Sequence, residues 1–260
     1  MKQKSLFIPY ITAGFPSKKS FLPILKIFSE NGADFIEVGV PHSDPLADGP
    51  VIQEASKIAL ENGVTLKWIV ETLRAARFAS EPRQGRATSL RRQIKPLILF
   101  SYLNPILNYG FEKLLKDLPK PLFYGLIIPD LPLEEAEKYL LLFKKHKLNL
   151  ILLVAPTTKK EKIKRIAKAS SGFIYMVSVA GVTGARKHFS KELKNKIQEI
   201  KSYTKIPVVV GFGISNSDQV KEVISYGADG VVVASALIKL LNGSKERERF
   251  KTLVQFLKKF

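Results

Sequence analysis

Hydrophobic residues occur along this chain in short, nearly continuous runs rather than in alternation with polar residues. Between the runs lie stretches whose apolar positions recur with helical periodicity. Continuous runs are typical of parallel strands buried on both faces, and helical periodicity is typical of amphipathic helices. The pattern therefore predicts a regular alternation of strands and helices. The runs are 6–14, 34–40, 96–102, 125–130, 149–156, 173–179, 207–213 and 230–236.

Eight predicted strands alternating with helices over 260 residues fit an α/β fold of the single (β/α)8 type, the TIM barrel. A doubly wound open sheet is the alternative, because periodicity alone does not show that a sheet closes. Two stretches repeat one design, "ENGADFIEV" and "SYGADGVVV": a helix end, a glycine, Ala-Asp and then a strand. No linker divides the chain, so residues 1–260 are predicted to form one barrel domain.

Charge is the most unusual feature of the composition. The chain carries 42 basic and 23 acidic residues, a net charge of +19. Most lysines are spread over the predicted helices, which is typical of solvated outer faces. The arginine-rich stretch Arg74–Arg92 instead predicts a basic, flexible insert around 77–95. Neither a series of stacking aromatic residues nor a known reading motif accompanies this charge, so we expect no nucleic-acid partner.

Several classes of site and location are excluded by the residues that the sequence lacks. It has no cysteine, which rules out disulfides, thiolate metal sites and cysteine nucleophiles. His42, His146 and His188 show neither metal-ligand spacing nor a catalytic-triad arrangement, and His146 is expected at the surface. No apolar run is long enough to span a bilayer, and the first residues lack the apolar core of a signal peptide. We therefore expect a cytoplasmic protein without a metal or a membrane contact.

Two carboxylates are the candidate acid/base groups. In such barrels the active site is built from the loops that follow the strands. Glu37 lies within the second apolar run, where burial should raise its pKa toward neutrality, and that suits a proton carrier. Asp48 lies in the following loop, where it should be more hydrated and stay ionised. The alternative is a buried ion pair for Glu37 and a helix N-cap for Asp48.

The last two predicted strands end in turns of small residues, "GFG" at 211–213 and "ASA" at 234–236. In such barrels the turns after strands seven and eight commonly bind a phosphate through main-chain N–H groups. Gly213 would let the backbone approach the phosphate, and Ser235 would add a hydroxyl. The alternative is that these residues only form tight turns and a cap. The residues alone thus predict metal-free proton transfer on a phosphorylated substrate.

The stretch "EVGVPHSDPLADGPVIQ" resembles the signature of the tryptophan synthase alpha subunit family. The resemblance continues along nearly the whole chain in "FIPYITAGFP", "SYLNP", "IIPDLP", "YMVSVAGVTGAR" and "VVVGFGIS". It implies a (β/α)8 barrel and a lyase of tryptophan biosynthesis. The implied reaction is retro-aldol cleavage of indole-3-glycerol phosphate to indole and glyceraldehyde 3-phosphate.

The resemblance also implies a role for each candidate residue. Glu37 would protonate indole C3 and remove the proton of the glycerol hydroxyl, while Asp48 would accept the indole N–H. Tyr175 would position Glu37, and Thr183 in the mobile lid "AGVTGAR" would close onto Asp48. The remaining implied contacts are Tyr10 and Phe212 along the indole, and Gly184, Gly213, Ala234 and Ser235 at the phosphate.

The family's partner is a beta subunit that carries pyridoxal phosphate (PLP) and receives indole through a tunnel, in an α2β2 tetramer. The resemblance implies that the loop Pro41–Asp48 and Asn104 meet this partner, and that the alpha chain itself needs no cofactor.

The chain departs from the family at three positions. The family often has an aromatic residue in place of His42, often an arginine in place of Val179 and usually a glycine in place of Ala234. The chain also begins shortly before the first strand, so the helix that commonly plugs the barrel is expected to be short or absent.

Three other functions are alternatives to this prediction. One is another phosphate-binding barrel enzyme, such as an isomerase or a synthase, and the loop from Glu37 to Asp48 argues against it. The second is an inactive alpha-like chain that only activates a beta subunit, which the presence of Tyr175 and Thr183 beside both carboxylates disfavours. The third is a nucleic-acid binder that uses Arg74–Arg92.

Overall fold

The computed structural model describes residues 5–78, 94–177, 191–211, 213–243 and 245–260. Strands and helices alternate along these residues, as the hydrophobic pattern predicts. The strands are β1 Leu6–Thr12, β2 Ile36–Gly39, β3 Leu97–Phe100, β4 Phe123–Ile127, β5 Asn149–Ile151, β6 Leu153–Val154, β7 Ile174–Val177, β8 Val208–Gly211 and β9 Gly230–Val233. The helices are α1 Phe21–Glu30, α2 Pro50–Glu61, α3 Leu66–Phe78, α4 Leu103–Tyr109, α5 Phe111–Asp117, α6 Leu133–His146, α7 Lys160–Ala169, α8 Lys191–Lys201, α9 Ser217–Ser225, α10 Ser235–Leu241 and α11 Glu246–Leu257.

The strands form a nearly closed parallel barrel in the order β5-β4-β3-β2-β1-β9-β8-β7-β6. β5 and β6 are two segments of one strand, separated by Leu152. The first segment pairs with β4 and the second pairs with β7, so this strand joins the two ends of the sheet. The prediction of a TIM barrel is thereby confirmed, and the open-sheet alternative is wrong.

Burial on both faces explains why the strands appear in the sequence as continuous apolar runs. Every residue of β2, β3, β8 and β9 is buried. One face of each strand fills the barrel, and the other packs against helices that present apolar stripes, such as Ile24, Leu25 and Phe28 of α1. Burial of one such large side chain stabilises the fold by roughly 1.5–3 kcal/mol.

The repeated Gly-Ala-Asp motif forms the same clamp at two places on the amino-terminal rim of the barrel. The Asp34 N–H donates to Phe7 O, and the Phe7 N–H donates back to Asp34 Oδ2, both at 2.9 Å. Asp229 repeats this arrangement with Val208, with both distances 2.8 Å. Each aspartate therefore ties the start of its own strand to the start of the neighbouring strand.

The helix surfaces carry most of the described charge. Arg165 of α7 contacts Glu134 and Glu137 of α6, each at 3.1 Å, and Lys145 lies 2.7 Å from Glu112. Exposed pairs of this kind contribute at most about 1 kcal/mol each. The lysine-rich helices are thus solvated outer faces, as the sequence predicts. Within the described residues, no helix is both long enough and apolar enough to cross a lipid bilayer.

His146 is buried, so its predicted surface position is wrong. The ring at the end of α6 is 9% exposed, and its Nδ1 lies 3.4 Å from Lys120 Nζ. The next residue, Lys147, adopts a left-handed conformation with φ 53°, and the Leu148 N–H then returns to Phe143 O. His146 is buried because it lies one helical turn after Phe143, on the buried face of α6, whereas Lys144 and Lys145 between them are exposed.

Candidate active site

A cavity of about 610 Å³ opens at the carboxyl ends of the strands, where the barrel fold predicts the active site. Its wall is mostly apolar and also carries two carboxylates and a lysine. Residues that are far apart in the sequence meet here because the parallel strands all end at this rim. The predicted site residues on the wall are Tyr10, Glu37, Asp48, Tyr175, Gly213, Ala234 and Ser235.

Glu37 is the most deeply buried carboxyl group of the cavity. β2 carries it opposite Tyr10 of β1 and Ile98 of β3, and only 2% of the residue is exposed. Its Oε2 has no hydrogen-bond partner among the described residues. Burial raises the pKa of Glu37 to about 8, with a further contribution from the nearby charge of Asp48. The group is therefore largely protonated at neutral pH, and the predicted rise of its pKa is confirmed.

Asp48 is more exposed than Glu37, as the sequence predicts, although the loop folds it partly inward against Tyr102. The Tyr102 hydroxyl donates to Asp48 Oδ2 at 3.1 Å. Burial raises the pKa of Asp48 to about 6, while this hydrogen bond lowers it. Asp48 is thus mainly ionised at neutral pH, when Glu37 is mainly protonated. Unlike environments of this kind suit one group to carry a proton and the other to stabilise a positive charge.

The helix-cap alternative for Asp48 is wrong. The N-cap of α2 is Gly49, and no side chain accepts a hydrogen bond there. Pro50 begins the helix, where its missing N–H costs nothing. The carboxylate of Asp48 is consequently directed to Tyr102 and the cavity instead of to the helix terminus.

Two tyrosines line the cavity, and each lies over a glycine of the adjacent strand. A β-carbon at Gly39 would overlap the Tyr10 hydroxyl, and one at Gly211 would overlap the Tyr175 ring. Burial, then the neighbouring carboxylates, raises the pKa of both phenols. Both tyrosines therefore keep their protons, and they can donate a hydrogen bond from an apolar wall. Glycine within a strand is a known sequence signal of such close approach.

The residues predicted to bind a phosphate line the same cavity. Gly213 has φ +78°, a conformation that favours glycine. Ala234 and Ser235 lie at the start of α10 and are half-buried in the same wall. Lys239 also lines the cavity, although sequence reasoning expected main-chain groups to suffice there. Its spacing from Ser235, one helical turn, is the signal that could have identified it.

A second cavity of about 800 Å³ adjoins the first and shares Ala47, Phe100 and Val177 with it. Its floor is apolar, and Asp130 lies at its edge. The Asp130 carboxylate accepts the Leu103 N–H at 2.8 Å, so it holds the start of α4 in place. Phe100 and Val177 were not singled out as site residues, because buried strand residues of this kind are indistinguishable in sequence from ordinary core.

Some of the predicted site residues fall outside the described parts of the chain. Thr183 and Gly184 lie in 178–190, as do Val179 and His188, and Phe212 is also outside. Most of the predicted insert, 79–93, is outside as well. In the ranges that the structure does describe, no three His, Asp or Glu side chains come together in a way that could hold a metal ion.

Comparison with known proteins extends the resemblance noted in the sequence. A family model described as tryptophan synthase alpha chain matches residues 1–259. A tryptophan synthase alpha chain from Prochlorococcus marinus is 43% identical over 246 residues, which cover 94% of this chain and 83% of that protein. One from Arabidopsis thaliana is 41% identical over 256 residues, covering 98% and 88%. A chain in the structure of the tryptophan synthase α2β2 complex from Pyrococcus furiosus superposes with a TM-score of 0.83 at 35% identity, covering 100% of this chain and 98% of that one.

Proposed function

Because the chain belongs to the tryptophan synthase alpha chain family, a lyase of tryptophan biosynthesis, we propose that its cavity cleaves indole-3-glycerol phosphate. The products are indole and glyceraldehyde 3-phosphate. One observation carries the assignment of residues. Glu37 is a buried, largely protonated carboxyl group in an apolar cavity, and it faces a second carboxylate that stays ionised.

The first step is a proton transfer to the indole ring. Protonated Glu37 gives its proton to indole C3, and the ring nitrogen becomes cationic. Asp48 accepts the indole N–H and stabilises this charge. An ionised carboxylate in a cavity that excludes water is effective here, because electrostatic interactions are stronger at low dielectric. The pKa of about 6 supports this role at neutral pH.

The second step breaks the carbon–carbon bond. Glu37, now a carboxylate, removes the proton from the hydroxyl on the carbon attached to the ring. The bond to indole C3 breaks, its electron pair restores the aromatic ring, and the hydroxyl carbon becomes the aldehyde. Glu37 ends the cycle protonated, so one carboxyl group serves as acid and then as base. Tyr175, buried beside it in the wall, is proposed to hold it in position.

The two ends of the substrate differ in chemistry, and so do the two sides of the cavity. Tyr10 and Phe100 form an apolar wall for the indole, with ring centroids 6.3 Å apart in an edge-to-face arrangement. The phosphate would lie against Gly213, Ala234 and Ser235, within reach of Lys239. We also propose the remaining roles that the family resemblance implies. Thr183 would close onto Asp48, Gly184 would contact the phosphate, and Phe212 would lie along the indole.

We also propose a beta subunit as the partner. The Pyrococcus furiosus relative comes from an α2β2 complex, which supports the same assembly here. The loop Pro41–Asp48 and Asn104 would contact it, and Leu46 in this loop is 83% exposed. The PLP would belong to the beta subunit. That this chain needs no cofactor, and that it is cytoplasmic, remain predictions.

Indole formation from indole-3-glycerol phosphate, with and without the beta subunit, tests this function. Glu37→Gln keeps the shape of the side chain but cannot cycle a proton, so turnover should fall by about 100-fold or more. Binding of indolepropanol phosphate should be nearly unchanged. The matched control is Glu54→Gln, a change at an exposed position of α2.

Asp48→Asn should also lower turnover strongly, with little change in folding. Wild-type turnover in the Glu37→Gln protein would make Glu37 structural, and the same result for Asp48→Asn would remove Asp48 from the mechanism. A chain that forms no indole under either condition, yet stimulates the beta subunit, would be the inactive alpha-like protein instead.

A further inference from the structure

The hydroxyl of Tyr102 joins two consecutive residues of the loop between β2 and α2. It accepts the Ala47 N–H at 2.9 Å and donates its own proton to Asp48 Oδ2 at 3.1 Å. Tyr102 is 54 residues further along the chain, so these are tertiary contacts and not features of a local turn. A phenol has one proton to donate, and the Ala47 N–H leaves the carboxylate as its acceptor. The direction of both hydrogen bonds is thereby fixed.

Tyr102 itself is held firmly. It is 5% exposed, and it lies two residues after the end of β3 as the N-cap residue of α4. The preceding Ser101 N–H donates to Ile127 O at 3.0 Å, and the following Leu103 N–H donates to Asp130 at 2.8 Å. The Phe100 ring packs edge-on against Tyr102, with centroids 6.4 Å apart. A fixed backbone and a packed ring give the hydroxyl a defined position.

The loop, by contrast, contains neither strand nor helix between Val40 and Gly49. Its internal hydrogen bonds are short-range: Leu46 N–H to Asp44 O at 3.0 Å and Asp48 N–H to Pro45 O at 2.9 Å. These bonds shape the turn, but they do not attach it to the barrel. Near Asp48 the loop is held in two ways: Gln53 of α2 donates to the Asp48 carbonyl at 2.9 Å, and Tyr102 holds the Asp48 carboxylate and the Ala47 N–H.

The same tyrosine also contacts the beginning of the loop. The His42 ring stacks on Tyr102 with centroids 4.9 Å apart and an interplanar angle of 27°. Stacked rings stabilise a contact beyond the effect of the area that they bury. The loop is therefore bound to Tyr102 at both ends, by the His42 ring and by the Ala47–Asp48 pair.

We propose that Tyr102 is a positioning residue for the lyase reaction. It binds the loop through the His42 ring and the Ala47 N–H, and so fixes the Asp48 carboxylate where the indole N–H must meet it. This inference rests on the role of Asp48 in the proposed function. Tyr102 acts through Asp48, and it has no place in the proton transfers of Glu37.

Tyr102 also influences the charge state of Asp48. Its hydrogen bond lowers the pKa of Asp48, against the effect of burial, which raises it. Loss of the hydroxyl should therefore raise the pKa of Asp48. As the pH is lowered, the variant should then lose activity at a higher pH than the wild type does. The other titratable groups that share the cavity with Asp48 are Glu37, Tyr10, Tyr175 and Lys239.

The test is Tyr102→Phe, which keeps the ring and its stack with His42 but removes the hydroxyl. We expect kcat to fall about tenfold or more, the size expected for losing a hydrogen bond to a charged group. KM should change less than kcat, and the acidic limb of the kcat/KM profile should move to higher pH. An unchanged acidic limb together with wild-type kcat would overturn the proposal.

The stacking contact is tested separately at His42. His42→Phe preserves an aromatic ring and should keep near-wild-type kcat, whereas His42→Ala should lower it. If the phenylalanine variant were as impaired as the alanine variant, or if neither were impaired, the stack would have no positioning role. Thermal unfolding of each variant shows whether the protein remains folded.

A double-mutant comparison separates this inference from the proposed function. In the Asp48→Asn background, adding Tyr102→Phe should cause no further loss of kcat, because the group that Tyr102 positions is already gone. An equal loss in both backgrounds would indicate a purely structural tyrosine. An inactive Asp48→Asn with a fully active Tyr102→Phe would overturn only the positioning role, while an active Asp48→Asn would overturn the role of Asp48 itself.

Discussion

Tyr175 lies over Gly211, in the space that a side chain at that position would occupy. The neighbouring strands pair Tyr175 with Val209, so Gly211 is two residues further toward the mouth of the barrel. Tyr10 repeats the relationship: it pairs with Glu37, and Gly39 is two residues further along β2. A glycine in each adjacent strand therefore allows a large ring to lie flat at the mouth and to leave the cavity open.

Gly211→Ala should destabilise the protein by roughly 1–3 kcal/mol, because the added methyl group overlaps the Tyr175 ring in a packed region. The free energy of unfolding in urea measures this cost. Gly49→Ala is the matched control: its β-carbon would contact nothing within 4 Å. It should cost less than about 1 kcal/mol, the loss of a favourable N-cap residue. Equal costs at the two positions would contradict the predicted overlap.

The pH dependence of kcat/KM should follow the two carboxyl groups. Glu37 must start protonated and Asp48 ionised, so activity should fall above about pH 8 and below about pH 6. The two limbs belong to the coupled pair rather than to either residue alone. Steady-state rates measured from about pH 5 to about pH 9.5, at constant ionic strength, give this profile. A rate that stayed flat through pH 9 would show that Glu37 does not start the reaction protonated.

Burial of Glu37 should also make the stability of the fold depend on pH. Its pKa is about 8 in the folded chain and 4.5 ordinarily, so the folded state binds the additional proton between these values. The contribution of Glu37 to the free energy of unfolding is fully present below pH 4.5. It is lost as the pH rises toward 8, at up to about 1.4 kcal/mol per pH unit.

The Glu37→Gln protein lacks this titration, so its free energy of unfolding should decline less between pH 5 and 8 than that of the wild type. Chemical denaturation at several pH values gives both curves. Asp48 titrates in both proteins, so the difference between the two curves reports Glu37 together with its coupling to Asp48. Parallel curves would mean that folding does not change the pKa of Glu37.

Lys239→Gln should raise KM for the phosphorylated substrate several-fold and leave kcat largely unchanged. The lysine lines the cavity with Ala234 and Ser235, the proposed phosphate contacts, and has no proposed part in the proton transfers. The effect should shrink as salt is added, since ions screen an exposed charge. Lys251→Gln on α11 removes the same charge from an exposed position and should not change KM. If both variants raised KM equally, net charge rather than this residue would be responsible.

Leu107→Asp should weaken binding of the beta subunit by about tenfold or more, the loss expected when a charge replaces an apolar contact residue. Leu107 is 50% exposed on α4, one helical turn after Asn104. Leu141→Asp is the control, because Leu141 is 81% exposed on α6, a different helix. Calorimetric titration with the beta subunit measures both affinities. Similar losses at the two leucines would place the interface elsewhere.

The barrel and its two carboxylates could be predicted because their signals are local. The continuous apolar runs predict strands that are buried on both faces. An acidic residue inside one of these runs identifies Glu37 as a candidate catalytic group. The repeated Gly-Ala-Asp motif was visible as a pattern, although the hydrogen bonds that Asp34 and Asp229 make to neighbouring strands were not. Strand ends were predicted too long, since the apolar residues after Thr12 and Gly39 already belong to the loops.

The contacts that were missed depend on the path of the chain in three dimensions. Nothing in the sequence near Asp48 indicates that Tyr102 would donate to it, because the loop conformation decides which side chain it meets. His146 illustrates the same limit, since it lies in a run of exposed lysines, yet it falls on the buried face of α6 with Phe143. The break of the fifth strand at Leu152 is likewise invisible in an uninterrupted apolar run. In each case tertiary packing overrides what the local pattern indicates.

The aspartate clamps at Phe7 and Val208 lie on the rim of the barrel opposite the cavity. The groups that hold the strands in register and the groups proposed to handle substrate are thus spatially separated. An engineer who wished to redirect this scaffold to a different ligand could rebuild the mouth loops and leave those anchors untouched.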